Sequence, residues 1–165
     1  MKTIIIYSSQ TGNTLKLAKH IEKTLQGNDA MYAIDDAPVP GEKDIIFLGF
    51  WLQAGKPDMK TQQYLKQVKK QKLFLFCTHG AAVLSEHAQN GMKAAREMAP
   101  DADILGSFNC QGEVNPKVLE KAGSKPTPPI WLKDAPDAQG HPDDKDLDSL
   151  TSAVNKALKS IKGES

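Results

Sequence analysis

"IIIYSSQTGNTLK" (Ile4–Lys16) places a continuous apolar run directly ahead of a turn crowded with hydroxyls, amides and one glycine. Three successive isoleucines read as a strand buried on both faces, the pattern of a parallel sheet. Behind the turn, Leu17, Ala18, Ile21 and Leu25 recur at helical spacing, so the stretch is strand, turn, helix. A helix that opens straight after a buried strand presents unpaired backbone N–H groups and the positive end of its dipole, which suits a phosphate. Ser8, Ser9, Thr11 and Thr14 add hydroxyls, Gln10 and Asn13 add amides, and Gly12 lets the backbone come close. The competing reading of the same residues is an ordinary capped helix start.

The alternation continues outward. Ile45-Ile46-Phe47-Leu48 and Leu73-Phe74-Leu75-Phe76-Cys77 are further buried-strand runs, with weaker ones at Met31–Ile34 and Ile104–Phe108. Helical patterns fall between them: Tyr64, Leu65 and Val68 after the third strand, then Leu84, Ala88, Met92, Ala95 and Ala99 after the fourth. Strand and helix in alternation predict an α/β fold, a three-layer α/β/α sandwich on a five-stranded parallel sheet with right-handed crossovers. Ligands then belong at the carboxyl ends of the strands. A Pro-rich connection over about 125–145 leads to a C-terminal helix over about 146–162, in which Leu147, Leu150, Val154, Leu158 and Ile161 share one face.

Residues 1–165 have the length of one domain, and 39% hydrophobic residues suffice for its core. A net charge of +1 gives no general pull toward nucleic acid or an anionic membrane. No apolar stretch approaches the roughly 20 residues of a membrane span, and the chain starts as a strand rather than as a signal peptide, so a cytoplasmic protein is expected. Cys77 and Cys110 are too few and too far apart for a disulfide framework or a zinc site. Charge is unevenly spread: Lys56, Lys60, Lys66, Lys69, Lys70 and Lys72 cluster, while aspartates gather between Asp134 and Asp148. The lysines read either as a solvated surface or as a docking face.

The turn is informative for what it lacks. GxxxxGK[ST] needs a lysine and GxGxxG needs three glycines, so nucleotide hydrolysis and dinucleotide binding through this turn are disfavoured. A Cys-x5-Arg phosphatase fails because Val83 and Pro116 stand six residues after the two cysteines. A phosphoacceptor receiver needs an acidic cluster where this chain has Ser8 and Ser9. Against that background, "SSQTGNT" resembles the phosphate-binding loop of flavodoxins, T/S-x-T-G-x-T, which wraps the phosphate of FMN. Ser9, Thr11, Gly12 and Thr14 match it position by position.

That resemblance implies a flavodoxin-like fold with strand order 2-1-3-4-5, bound FMN, and Ser8–Thr14 around its phosphate. It implies that "GFWLQAGKPD" (Gly49–Asp58) meets the ring, with Trp51 as the first flanking candidate and Phe50, Leu52 and Gly55 beside it; core packing is the other role open to Trp51. The turns "CTHGA" and "NCQGE" then hold the pyrimidine edge through Thr78, His79, Gly80, Cys110, Gln111 and Gly112. For His79 a plain loop histidine is the alternative. The chain departs from the family in being near neutral, in placing Lys56 and His79 in the ring turns, and in offering no aromatic residue after the fourth strand as a second wall. The expected function is electron transfer, with FMN shuttling electrons between redox partner proteins, a donor reductase or ferredoxin and an acceptor enzyme, by a monomer. The alternative is an NAD(P)H-dependent FMN oxidoreductase or quinone reductase of the same fold, which needs room over the ring.

Overall fold

A computed structural model describes residues 2–26, 29–42 and 44–163. Five parallel strands, β1 (Thr3–Tyr7), β2 (Ala30–Ala33), β3 (Ile45–Gln53), β5 (Lys72–His79) and β6 (Asp103–Gln111), stand in the order β2-β1-β3-β5-β6. Counted among parallel strands alone, this is the expected 2-1-3-4-5. A two-residue strand, β4 (Lys56–Pro57), pairs antiparallel with the end of β3.

Because successive strand residues face opposite sides, each apolar run feeds two cores. Ile4, Ile6, Ile46, Leu48 and Phe50 pack with α2 (Met59–Leu65) and α3 (Glu86–Glu97) through Tyr64, Leu65, Met92 and Ala95. Ile5, Phe47, Phe74 and Phe76 pack on the other face with Leu17, Ala18 and Ile21 of α1 (Asn13–Thr24) and Leu150, Val154 and Ala157 of α5 (Asp144–Lys162). Two layers of helix therefore cover one sheet, as the sequence predicts.

Three local features differ from the sequence reading. The expected ring turn Gly49–Asp58 is mostly strand: β3 continues to Gln53, held by pairs Phe50 to Cys77 and Trp51 to Thr78, and folds back through Ala54 and Gly55 onto β4. Leu84 is 86% exposed and precedes α3, so it does not share the buried face assigned to it. The Pro-rich connection carries structure of its own, with α4 (Pro116–Gly123) ahead of it and a 3-10 segment over Ile130–Ala138 within it. Proline at the first helical turn and Asn115 as its cap account for α4, which is too short to announce itself by periodicity.

Candidate functional site

A cleft of about 840 Å3 opens at the carboxyl ends of β1, β3, β5 and β6. Its inner end is the start of α1. Gly12 sits there in the left-handed region at φ 92°, and no side chain caps the helix. The four other α-helices are each capped, by Asp58, Ser85, Asn115 and Asp143. Among the described residues, the N–H groups of Gln10, Thr11 and Asn13 have no protein acceptor, and that of Gly12 takes only Ser9 Oγ at 3.1 Å. An open helix start with neutral donors suits an anion held by charge-assisted hydrogen bonds.

The side chains of this loop divide into two groups. Ser9, Gln10, Thr11, Asn13 and Thr14 line the cleft. Three of the predicted donors are already engaged by protein: Ser8 Oγ donates to buried Asp58 at 2.9 Å, Asn13 Nδ2 donates to the Glu113 carbonyl at 3.0 Å, and Thr14 Oγ1 shares a hydrogen bond of 2.9 Å with Thr78 Oγ1. Ser8 lies outside the cleft and acts as a brace. Asp58 also accepts from Thr61 N and Thr61 Oγ1, so one buried carboxylate ties the loop to the start of α2.

Trp51 and Leu52 line the cleft from the end of β3, and Leu52 also packs on α3, where a Cβ at Gly91 would stand 2.6 Å from it. Phe50 points into the core and is fully buried, as alternation along β3 requires. The hairpin beyond them turns through Ala54 at φ 50° and Gly55 at φ 76°, a pair of positive values typical of a two-residue hairpin loop. Ala54, which lacks glycine's freedom there, lines the cleft, and Gly55 lies against His87.

Thr78, His79 and Gly80 form the floor with Gly112. His79 is buried, with Nδ1 3.0 Å from the Ala81 carbonyl and Nε2 2.9 Å from Asn109 Nδ2. A carbonyl only accepts and an amide NH2 only donates, so the ring carries its proton on Nδ1 and is neutral. Burial lowers its pKa to about 4. The positive charge that sequence position alone would allow near the ring is therefore not supplied by His79 at neutral pH.

Cys110 is buried in the core on the α1 and α5 face, while Cys77 belongs to the opposite face, so the sheet separates the two thiols. Burial raises both pKa values and keeps them protonated. Gln111 reaches the carbonyls of Gly80 and Asp134 at 3.4 and 3.2 Å and so joins the floor to the 3-10 segment.

That segment supplies what the sequence reading lacked. Trp131 lines the cleft, and a Cβ at Gly80 would come 2.7 Å from Val114 and 3.3 Å from Trp131. Glycine at 80 thus lets the second tryptophan close over the floor. Its sequence signal was an isolated Trp in a Pro-rich connection, and nothing local ties that to β5. The expected lysine cluster, in contrast, disperses. Lys72 begins β5 at the amino end, paired with Asp103 at 2.7 Å; Lys60 pairs with Asp35, and Lys66, Lys69 and Lys70 fall on the side away from the cleft. The lysines that line the cleft are Lys117, Lys121 and Lys125.

A family model described as the flavodoxin domain matches residues 4–155. The chain belongs to the flavodoxin domain family. It is 31% identical over 159 residues to the flavodoxin-like domain-containing protein BilS of Clostridioides difficile (strain CD3), covering 89% of this chain and 90% of that one. Among solved structures, oxidised flavodoxin 2 from Bacillus cereus superposes with a TM-score of 0.62 at 12% identity, over 97% of this chain and 99% of that chain. A flavoprotein in complex with FMN from Lactobacillus acidophilus NCFM superposes with a TM-score of 0.52 at 18% identity, over 66% of this chain and 92% of that chain. These two likenesses are of fold. No helix among the described residues is long and apolar enough to cross a membrane.

Proposed function

We propose that this flavodoxin-domain protein binds FMN non-covalently and passes electrons between protein partners, a donor reductase or ferredoxin and an acceptor enzyme. The observation that carries the reading is the start of α1: it alone among the α-helix starts described has no side-chain cap, and it opens into a cleft containing both tryptophans. The residues present fit the group. The N–H groups of Gln10, Thr11 and Asn13 with the hydroxyls of Ser9 and Thr11 would hold the phosphate. Trp51 and Trp131 would wall a flat ring, and the backbone of Thr78–Gly80 and Gly112 would meet its polar edge. When bound, FMN supplies the redox chemistry, and the protein tunes it through the charge and hydrogen bonds around the ring. His79 contributes a neutral, fixed imidazole rather than a proton donor.

A second reading, an NAD(P)H-dependent FMN oxidoreductase or quinone reductase, is favoured by one observation. The cleft is lined by Lys117, Val118, Lys121 and Ala122 of α4 and by Lys125 after it, in addition to the residues assigned to FMN. Flavin absorbance of the purified protein, followed by reductive titration and steady-state NADPH oxidation, separates the two. Bound flavin reduced in two resolved one-electron phases, with no turnover of NADPH, supports the carrier. Rapid NADPH oxidation by the flavin-loaded protein supports the reductase, and a chain that neither carries nor takes up FMN refutes both.

A further inference from the structure

The part of the cleft lined by residues 114–129 differs in chemistry from the rest. Lys117 and Lys121 stand four residues apart on α4, on one face and about 6 Å apart along the axis, and Lys125 follows in the turn after it. All three line the cleft and are exposed. Among the described residues none has a carboxylate within 4.0 Å. Among the described residues the one carboxylate lining the cleft, Glu113, accepts from Gly140 N at 3.0 Å. Alongside the lysines run Val118, Pro129 and the half-buried Trp131. A cationic row beside an apolar strip within a concavity matches a small amphipathic anion.

We propose that this half of the cleft is a second binding site, for a small molecule with a flat apolar body and one or more phosphate or carboxylate groups. Lys117, Lys121 and Lys125 receive the anionic end, and Val118 and Pro129 receive the apolar body. The inference rests on the FMN reading in giving the other half of the cleft to the flavin. Two sources share this chemistry, a phosphate-bearing nicotinamide dinucleotide and a carboxylate-bearing aromatic substrate.

The test is calorimetric titration of the flavin-loaded protein with NADP+, NAD+ and naphthalene-2,6-dicarboxylate. It is repeated with the triple variant Lys117→Gln, Lys121→Gln, Lys125→Gln and with a control triple, Lys66→Gln, Lys69→Gln, Lys70→Gln. Binding of NADP+ or of the dicarboxylate at one site per chain, weakened about tenfold or more in the first triple and unchanged in the control, supports the site. Preference for NADP+ over NAD+ selects the phosphate source; binding of the dicarboxylate alone selects the carboxylate source. Three results overturn it: neither probe binds, both triples weaken binding equally, or the first triple sheds flavin in proportion, which would assign the lysines to the FMN phosphate. Flavin content is read from absorbance before any titration, so a wild-type chain that takes up no FMN sinks the earlier reading separately.

Discussion

The starts of α1 and α5 both carry residues of helix-capping type, neutral hydroxyls and amides at the first and aspartates at the second, and end up as opposites. At α5, Asp143 accepts from Asp146 N at 3.0 Å while Asp146 accepts from Asp143 N at 2.8 Å, a capping box that consumes the orphan donors locally. The hydrogen bond from Asp146 N to its carboxylate is the foremost cause that holds the Asp143 pKa below its usual range. At α1, the hydroxyls of Ser8 and Thr14 and the amide of Asn13 turn away to Asp58, Thr78 and the Glu113 carbonyl, and the N–H groups stay open. The two ends teach that capping-type residues at a helix start signal stabilisation or binding depending on where the side chains find partners. A cap satisfies the backbone; a braced loop leaves it free for a ligand.

Removing the ligand should have the largest effect on this contrast. With FMN at a thousandfold excess over its Kd, the stability of the folded chain should rise by about 4 kcal/mol over the apo-protein. Urea midpoints that coincide with and without FMN would break the assignment of α1 as a binding end. Next, Asp58→Ala removes both a cap and the brace on Ser8, and should cost about 3 kcal/mol of stability. Equilibrium dialysis should show weaker FMN binding as well, and retained affinity in a destabilised chain would separate the brace from the site.

The pH response of the floor comes third. His79 is held neutral in the folded state, with its pKa near 4, while in the unfolded chain it titrates at its ordinary value near 6.5. The unfolded state therefore takes up the proton first, and stability falls as pH drops from 6.5 toward 4. Between pH 7.5 and pH 5 the loss from this group should be about 2 kcal/mol. Denaturation at the two pH values should show that loss diminished in His79→Gln; an identical slope in both chains would contradict the buried neutral ring. The smallest effect is expected for Asp143→Ala at the capped end. Its FMN affinity should match wild type, whereas Gly12→Ala, of similar cost because of its positive φ, should lower that affinity. Equal FMN binding by these two variants would erase the distinction between the ends.

Much of this arrangement is legible in the chain. Ile4–Tyr7, Ile45–Leu48 and Leu73–Cys77 announce strands buried on both faces, and alternation with amphipathic helices leaves few ways to arrange them. Ser9, Thr11, Trp51, Thr78, Gly80 and Gly112 reach one cleft because topology gathers strand ends there. Phe50, Cys110 and Gln111 sit beside these residues in sequence yet do not line it, since alternation turns the first two into the cores and Gln111 bridges two loops. Trp131 and the lysines of α4 were not legible as cleft residues: their approach to Gly80 and the cleft depends on contacts between segments far apart in the chain, which no local pattern records.

Local sequence determined the elements, because burial on two faces and helical periodicity are properties of neighbouring residues. It also determined that α1 begins with donors and a flexible glycine. Tertiary structure alone decided that those donors remain open, that His79 is neutral, and that the second tryptophan closes the cleft. Each of these outcomes depends on which distant group fills a hydrogen bond or excludes water, and folding sets those partners across the sheet rather than along the chain.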